Sequence, residues 1–463
     1  MVAPMGARYF VIRDAVHGDV YLTQDEGRLL DTREMQRLRG VRQLGLAHLV
    51  YPGARHSRFE HSVGTLHMAQ ALINSVNRNA ELWPGECRAV AAEHTRLIRA
   101  AALLHDVTHI PFGHNIEDQS AVLARHDVPE RFAAMLAATG ELGAELERQG
   151  LRQPVLDVLC EADGASPAPA GAPPFVAQMI SDTICSDLMD YLRRDAYFTG
   201  LNLHYDARIA DYFKVDRDRG RLFVDCAKDG LVREDIVSEI LRMLQARYYF
   251  SERVYYHHAK IAAGAMVARV VETCLRHGWI RPDDLWMQTD EGLLIELRRR
   301  LEANPDLDAV RCVGLLDRLQ ARRLYKRVSV FPYATNVDVQ ASLIERFFAP
   351  ARVDARRAFE VQREAEVRER FGLDVDVLFY CPNRKMQLKE AGTLVRFPGE
   401  QDLRPLADFR DRVPRIADLE ASYLRLWKAY VLTSALDPAV RKFLQERTRA
   451  SLAPAVDSYR GVK

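Results

Sequence analysis

The stretch RFEHSVG, residues 58–64, decides how the rest of the sequence is interpreted. Beyond it, apolar residues recur at helical spacing, at Met68, Ala69, Leu72, Ile73 and Val76. Counting back by helical turns from Met68 places the imidazole of His61 at the start of the same apolar face. A histidine in such a position is ordinarily a core residue bonded to a backbone carbonyl, so His61 alone predicts no chemistry.

The composition limits the class of protein. The chain has 463 residues, 48% of them hydrophobic, which suffices for a large core and, by length, for about three domains. Its 65 Lys and Arg residues nearly match its 64 Asp and Glu residues. This balance argues against a nucleic-acid coat or a membrane-surface protein but allows a local basic pocket, so a nucleic-acid partner is allowed but not indicated.

The sequence also predicts a location. No apolar run is long enough to span a membrane, and the start MVAPMGARYF lacks a signal-peptide pattern. The 7 cysteines are scattered and odd in number, which predicts reduced thiols rather than a disulfide framework. We therefore expect a cytoplasmic protein without a membrane association.

The patterns along the chain predict a mainly α protein in three parts. Two β-prone runs in 8–23 predict an N-terminal β-hairpin segment over residues 1–24. Helical patterns then predict a core over 25–275, with a mobile Pro/Ala-rich loop at 161–174. Residues 276–463 are expected to form a helical and mixed α/β extension. Within it, 285–303 and 404–447 read as helices, and 324–331 and 376–398 contain strand patterns.

Two further segments place ligand-type side chains among apolar residues. His105 ends an apolar helical face in 88–106 and is followed at once by Asp106, while Asp187 is spaced to share the apolar face of 175–195. A buried carboxylate is costly unless paired, and an ion pair with an arginine would explain Asp187 alone. Together, His61, His105, Asp106 and Asp187 instead predict a site for a divalent metal ion: Mn, Fe, Mg, Co or Zn.

These residues and the sequence around them resemble the HD-domain phosphohydrolase superfamily, whose metal-binding motif has the order H…HD…D. The flanking stretches resemble its deoxynucleoside triphosphate triphosphohydrolase branch. They are DAVHGDVYL (14–22), DTREMQRLRGVRQLG (31–45), YPGARHSRFEHSVG (51–64), LLHDVTHIPFGH (103–114) and SDLMDYLRRDAYFTG (186–200). RVYYHHAK (253–260) is a looser match, and together these stretches cover roughly residues 8–260. One departure is that Thr108 and Ile110 replace two glycines of the family's usual HDLGHGPFSH.

The resemblance implies hydrolysis of a deoxynucleoside triphosphate (dNTP) to a deoxynucleoside and inorganic triphosphate. It assigns the metal to His61, His105, Asp106 and Asp187, and the catalytic groups to His109, Glu117, His126 and Asp127. It assigns substrate contacts to Gln43, Leu44, Arg58, His114, Tyr191, Asp195, Arg253, His257 and Lys260. It also implies a homo-oligomer, a tetramer or hexamer, with an allosteric nucleotide site at Asp31, Gln36 and Arg39. The residue pattern of 36–39 alone would equally fit a solvated helix face.

Two other functions stay open. HD sites serve many phosphoesters, so a phosphodiesterase or phosphatase acting on another nucleotide fits the same ligands, and the two replaced glycines favour keeping that alternative. A nucleotide-sensing oligomeric regulatory protein with little turnover belongs to a different class. The complete set of metal ligands argues against it.

Overall fold

The computed structural model describes residues 9–117, 123–161, 172–203, 205–349, 352–382, 389–400 and 402–462. Of the loop predicted to be mobile, 161–174, residues 162–171 lie outside the described part of the chain. The described fold is mainly α, as predicted. Over the described residues, the helices lack the combination of length and apolarity that a membrane crossing needs. The 7 cysteines are unpaired.

An N-terminal hairpin opens the described chain, as predicted. Strand β1 (Tyr9–Asp14) pairs antiparallel with β2 (Gly18–Thr23). The Oδ1 atom of Asp14 accepts hydrogen bonds from the backbone N–H groups of Val16 and His17, which closes the turn. Gly18 has a φ of +79°, a conformation that glycine adopts without steric cost.

Helices dominate the part of the chain that follows. The described α-helices up to residue 199 are α1 (Gln24–Leu30), α2 (Arg33–Arg37), α3 (Arg58–Leu82), α4 (Ala92–Leu104), α5 (His114–Glu117), α6 (Pro129–Met135), α7 (Glu141–Arg148), α8 (Arg152–Glu161), α9 (Phe175–Ser181) and α10 (Ser186–Thr199). Helix α3 is central and packs against α4 and α10. Its N-cap is Ser57, whose hydroxyl accepts a hydrogen bond from the Glu60 N–H while the Glu60 carboxylate accepts one from the Ser57 N–H.

The remaining elements combine helices with short strands. They are β3 (Phe213–Val215), β4 (Leu222–Asp225), β5 (Ala227–Lys228), β6 (Leu231–Val232), α11 (Glu234–Phe250), α12 (His258–Arg276), α13 (Asp290–Glu302), α14 (Leu307–Gln320), β7 (Lys326–Pro332), α15 (Gln340–Phe347), α16 (Val353–Phe371), β8 (Val377–Tyr380), β9 (Leu394–Arg396), β10 (Arg404–Pro405), α17 (Arg415–Leu424), β11 (Lys428–Thr433) and α18 (Pro438–Leu452). A π-helical segment, Ser251–Tyr255, joins α11 to α12.

The strands beyond the N-terminal hairpin form three small sheets within the described residues. Their orders are β10-β9-β4-β3, β7-β11-β8 and β5-β6, and all pairings except β4 with β9 are antiparallel. The helix predicted across 404–447 is wrong for Lys428–Thr433, which is the central strand β11. A strand buried on both faces reads as one continuous apolar run, which periodicity cannot separate from a buried helix.

Two apolar cores lie side by side. The larger one surrounds α3, α4 and α10. The smaller one is built mainly from α12, α13 and α14, and it also receives Ile110, Phe112 and Ile116 from the segment that follows His105 and Asp106. The segment carrying the predicted catalytic residues is therefore anchored between the two cores.

Candidate metal centre

Three helices bring the predicted metal ligands together. His61 lies in the first turn of α3, His105 is the residue that caps α4, and Asp187 lies in the first turn of α10. The Nε2 atom of His61 is 3.2 Å from Nε2 of His105 and 2.9 Å from Oδ1 of Asp187. Asp106 adjoins them, with Oδ2 at 3.8 Å from His61 Nε2 and Oδ1 at 3.5 Å from His105 Nε2.

The hydrogen bonds of the two imidazoles fix which ring nitrogens face the centre. Nδ1 of His105 lies 2.9 Å from the carbonyl oxygen of Ala102, which can only accept, so this Nδ1 carries the proton. Nδ1 of His61 likewise donates to Oδ2 of Asp190 at 2.7 Å. Both Nε2 atoms are left as electron-pair donors aimed at one point beside two carboxylates. This donor set fits a divalent cation.

The charges around His61 also favour a bound cation. Burial lowers the pKa of His61, but the Asp187 and Asp190 carboxylates outweigh burial and raise that pKa to about 10. Burial raises the pKa of Asp187, yet His105 and His61 bring it well below its ordinary value. The cluster therefore holds a positive charge between its carboxylates, and a divalent cation can take the place of the proton.

Asp106 joins the predicted metal ligands to a second group of polar residues. Its Oδ2 accepts a hydrogen bond from Arg58 at 2.5 Å, and its Oδ1 accepts one from Nε2 of His109 at 3.2 Å. Burial raises the pKa of Asp106, but Arg58, His105 and His109 lower it well below the ordinary range. Asp106 is therefore an anion that Arg58 and His109 orient toward the other predicted ligands.

The predicted catalytic histidines form a cluster of their own. His109 and His126 stack with ring centroids 3.5 Å apart, and the His114 ring meets both edge-on at 5.2 and 5.0 Å. Nδ1 of His126 donates to Oε2 of Glu117 at 2.8 Å, and burial outweighs this contact and lowers the pKa of His126. Asp127, in contrast, pairs with Arg125 at 3.2 Å. Glu117, rather than Asp127, is thus the acid that orients His126.

Two of the predicted sugar contacts lie next to the ligand helices. The Tyr191 ring meets the His61 ring at 6.4 Å. Asp195 is buried, and its two oxygens accept from Nε2 of His56 at 2.8 Å and from the hydroxyl of Tyr255 at 2.7 Å. Each carboxylate oxygen has a second acceptor site, so Asp195 can still receive a ligand hydroxyl.

The other predicted substrate residues fall into two places. Lys260 lies 5.5 Å from the Tyr255 ring and so belongs near Asp195. Arg253 and His257 instead gather at Tyr51, whose hydroxyl donates to the Arg253 carbonyl at 2.8 Å and whose ring lies 6.3 Å from that of His257.

The predicted base contacts lie together in the chain just before α3. Leu44 is buried, and Oε1 of Gln43 is buried without a hydrogen-bond partner among the described residues. A ligand donor could satisfy that oxygen.

The predicted allosteric residues lie at the surface around α2. Asp31 and Arg39 are exposed, and Gln36 is half-buried. Nε of Arg39 donates to Oε1 of Gln36 at 2.8 Å, and the Arg39 guanidinium stacks over the Phe59 ring at 3.5 Å. Gln36 and Arg39 thus lie together, but their side chains are hydrogen-bonded to each other.

Several residues of the site were not predicted from the sequence. Asp190 binds His61, and Arg37 is a buried arginine that donates to the carbonyls of Val107 and His109 at 2.7 and 2.8 Å. Arg247 lies among the hydroxyls of Tyr191, Tyr255 and Tyr423. A usable signal existed for Asp190, which follows Asp187 by one helical turn, but none singled out Arg37 from its charged neighbours.

Comparison with known proteins gives two family matches. Residues 58–195 match the HD domain, and residues 225–437 match the HD associated region. The chain is 27% identical over 422 residues to an uncharacterised protein of Methanocaldococcus jannaschii, covering 90% of this chain and 77% of the relative. It is 26% identical to the deoxynucleoside triphosphate triphosphohydrolase SAMHD1 of Danio rerio, covering 73% of this chain and 61% of the relative.

Two further matches extend the comparison. Human SAMHD1 is 27% identical over 61% of this chain, and the match spans 46% of the human protein. The chain therefore spans roughly half of these SAMHD1 relatives. A crystal structure of a phosphohydrolase from Bacteroides thetaiotaomicron superposes with a TM-score of 0.63 at 19% identity, covering 92% of this chain and 99% of that one. That likeness is one of fold.

Proposed function

Because the chain belongs to the HD-domain phosphohydrolase superfamily, in its dNTP triphosphohydrolase-like branch, we propose that it hydrolyses dNTPs to a deoxynucleoside and inorganic triphosphate. One observation carries the proposal: the Nε2 atoms of His61 and His105 and a carboxylate oxygen of Asp187 lie within 4.8 Å of one another. A metal-dependent hydrolase of phosphoric esters needs such a group of ligands.

The chain's own residues have defined roles in this proposal. A bound divalent ion would lower the pKa of a water molecule and polarise a phosphoryl oxygen. Arg58 and Lys260 neutralise phosphate charge. His126, with its Nδ1–H group held by Glu117, would act as the imidazolium and deliver its Nε2 proton to the leaving 5′-oxygen.

The residues predicted to contact the sugar support a preference for deoxyribose. Tyr191 follows Asp187 by one helical turn, and its ring adjoins that of His61. Asp195 is held by His56 and Tyr255 and offers a remaining acceptor site to a sugar hydroxyl. A 2′-hydroxyl would have to fit against the Tyr191 ring. We therefore expect a higher kcat/KM for dGTP than for GTP.

A product assay tests the reaction. The purified protein is incubated with each dNTP and with Mn²⁺, Mg²⁺, Co²⁺ or Fe²⁺, and the products are separated by anion exchange. Deoxynucleoside and triphosphate in equal amounts are expected. Glu117→Gln should slow release strongly, whereas Asp127→Asn should not, because within the described residues the carboxylate of Glu117 bonds to His126 and that of Asp127 to Arg125.

A second candidate is a phosphodiesterase or phosphatase acting on another nucleotide. It is favoured by the replaced glycines, because Ile110 is buried in the smaller core and the buried Thr108 hydroxyl has no partner among the described residues. Release of monophosphate or diphosphate, or equal kcat/KM for dGTP and GTP, would select this candidate. Nucleotide binding without any product would instead select an oligomeric nucleotide sensor.

We also propose the setting in which the protein acts. The surface pair Gln36–Arg39 beside apolar residues fits a subunit interface that binds an anion. We accordingly propose a cytoplasmic homo-oligomer, a tetramer or hexamer, that responds to a nucleotide.

A further inference from the structure

We propose that the N-terminal hairpin is part of the metal centre, with His17 as a positioning residue that holds the metal ligand His61 through Asp190. The inference deepens the proposed function and rests on it only in requiring that His61 ligate a metal. It concerns how the ligand is oriented, whatever the substrate.

Asp190 is the link between the hairpin and His61. It is completely buried in α10. Its Oδ1 accepts from Nε2 of His17 at 2.6 Å, and its Oδ2 accepts from Nδ1 of His61 at 2.7 Å. Arg194 donates to the same two oxygens at 2.9 and 2.8 Å. The carboxylate can only accept, so these donors determine its orientation and, through it, that of the His61 ring.

A second contact ties the hairpin turn to the same helix. Arg194 donates from its other guanidinium nitrogen to Oδ2 of Asp14 at 2.8 Å, and both side chains are almost fully buried. Asp14 also closes the turn that carries His17, through the Val16 and His17 N–H groups. The turn is thus attached to α10 at Asp190 and at Arg194, with a hydrogen-bonded path from the hairpin to His61.

Gly64 of helix α3 leaves space for the side chains of Asp190 and Arg194. A Cβ added at Gly64 would overlap Oδ1 of Asp190 and the Arg194 guanidinium. Gly64 lies about one turn after His61 on α3. The helix that supplies the metal ligand therefore also accommodates the carboxylate that orients it.

The consequence is a coupling between metal binding and hairpin docking. Nδ1 of His61 must donate to Asp190 for Nε2 to face a cation. If the hairpin detaches, Asp190 loses His17 and the carboxylate can rotate toward Arg194 alone. The two equilibria are linked. If docking of the hairpin raises the affinity for the metal by some factor, binding of the metal raises the equilibrium constant of hairpin docking by the same factor.

Mn²⁺ affinity in matched variants tests the inference. Free Mn²⁺ is measured by electron paramagnetic resonance with wild type, His17→Leu, His17→Gln and the control Arg13→Ala. Arg13 belongs to the same hairpin but pairs with Asp19 in an exposed contact. We expect His17→Leu to weaken Mn²⁺ binding by about 10- to 100-fold, His17→Gln to recover most of the affinity through its amide donor, and Arg13→Ala to bind as wild type.

A second measurement needs no substitution in the hairpin. Hydrogen exchange of the hairpin amides in wild type should slow when Mn²⁺ is added, and this protection should be lost in Asp187→Ala. Unchanged Mn²⁺ affinity in His17→Leu, equal losses in His17→Leu and His17→Gln, or no Mn²⁺-dependent protection of the hairpin would overturn the inference.

The same experiments separate this inference from the proposed function. If His17 controls Mn²⁺ affinity but no triphosphate is released from dNTPs, the inference stands and the proposed reaction falls. If wild type shows no Asp187-dependent Mn²⁺ binding, the metal centre and the inference fall together.

Discussion

Replacing Gly64 by Ala has two opposite effects on the free energy of unfolding. In the interior of α3, alanine is favoured over glycine by about 1 kcal/mol. The added Cβ, however, would overlap Asp190 and Arg194, which form a buried ion pair. Breaking such a pair costs about 3–5 kcal/mol. We therefore expect Gly64→Ala to lower the free energy of unfolding by about 2–4 kcal/mol.

Urea denaturation followed by circular dichroism in EDTA measures this change without a metal contribution. Gly314→Ala is the matched control, because Gly314 lies inside α14 and a Cβ there meets nothing within 4 Å. This control should be stabilised by about 0.5–1 kcal/mol. If Gly64→Ala unfolds at the same or a higher urea concentration than wild type, the close packing of α3 on Asp190 and Arg194 is refuted.

Three further predictions concern the metal, pH and assembly. Asp187→Ala should abolish bound metal and hydrolysis while leaving the circular dichroism spectrum intact; elemental analysis checks this, and full metal content with normal turnover would contradict the assignment. Burial and the neighbouring His17 lower the pKa of His67 to about 4. Between about pH 6.5 and pH 4 the unfolded chain then binds more protons, so the free energy of unfolding should fall with falling pH, and less so in His67→Asn, as urea titrations at several pH values would show. Light scattering with and without dGTP should show an oligomer whose size or activity responds to nucleotide in wild type but not in Arg39→Ala; a constitutive oligomer unaffected by the substitution would refute the regulation, and a monomer in every condition the interface.

Local signals in the sequence account for the parts of the fold that were predicted correctly. The hairpin has β-prone runs around a His-Gly-Asp turn, and α3 has a capping box before a periodic apolar face. The segment 175–195 was predicted as one helix, but the helix is interrupted between Ser181 and Ser186. Strand β11 was missed because it is buried on both faces. In both failures, tertiary packing determined the conformation over the local pattern.

The four predicted ligand residues do lie together, but the helical spacing that led to this prediction is only partly correct. His61 is buried at the start of α3, as its spacing indicated. Asp187 does not share an apolar face with α9, since it follows the helix break and its side chain keeps 33% exposure. Its assignment as a ligand therefore rests on the resemblance to a known superfamily and not on the periodicity argument. Asp190 was overlooked because its importance depends on His17, which is distant in sequence and near only in the fold.

The geometry of the segment after Asp106 depends on residues of the HD associated region that lie beyond the motif-bearing stretch 8–260. Phe112 has a φ of +59°, a conformation that costs a residue with a side chain about 1–3 kcal/mol. Its N–H donates at 3.0 Å to Oδ1 of the fully buried Asp290, whose Oδ2 accepts from the Arg42 N–H at 3.1 Å. From the other side, Arg37 binds the carbonyls of Val107 and His109 and reaches the Gln288 carbonyl at 3.3 Å. The strained turn is held because both ends of its backbone are bonded to buried charged groups. Residues 288–290 thus help to place His109 and Asp106, so the C-terminal helices belong to the architecture of the site as well as to the smaller core.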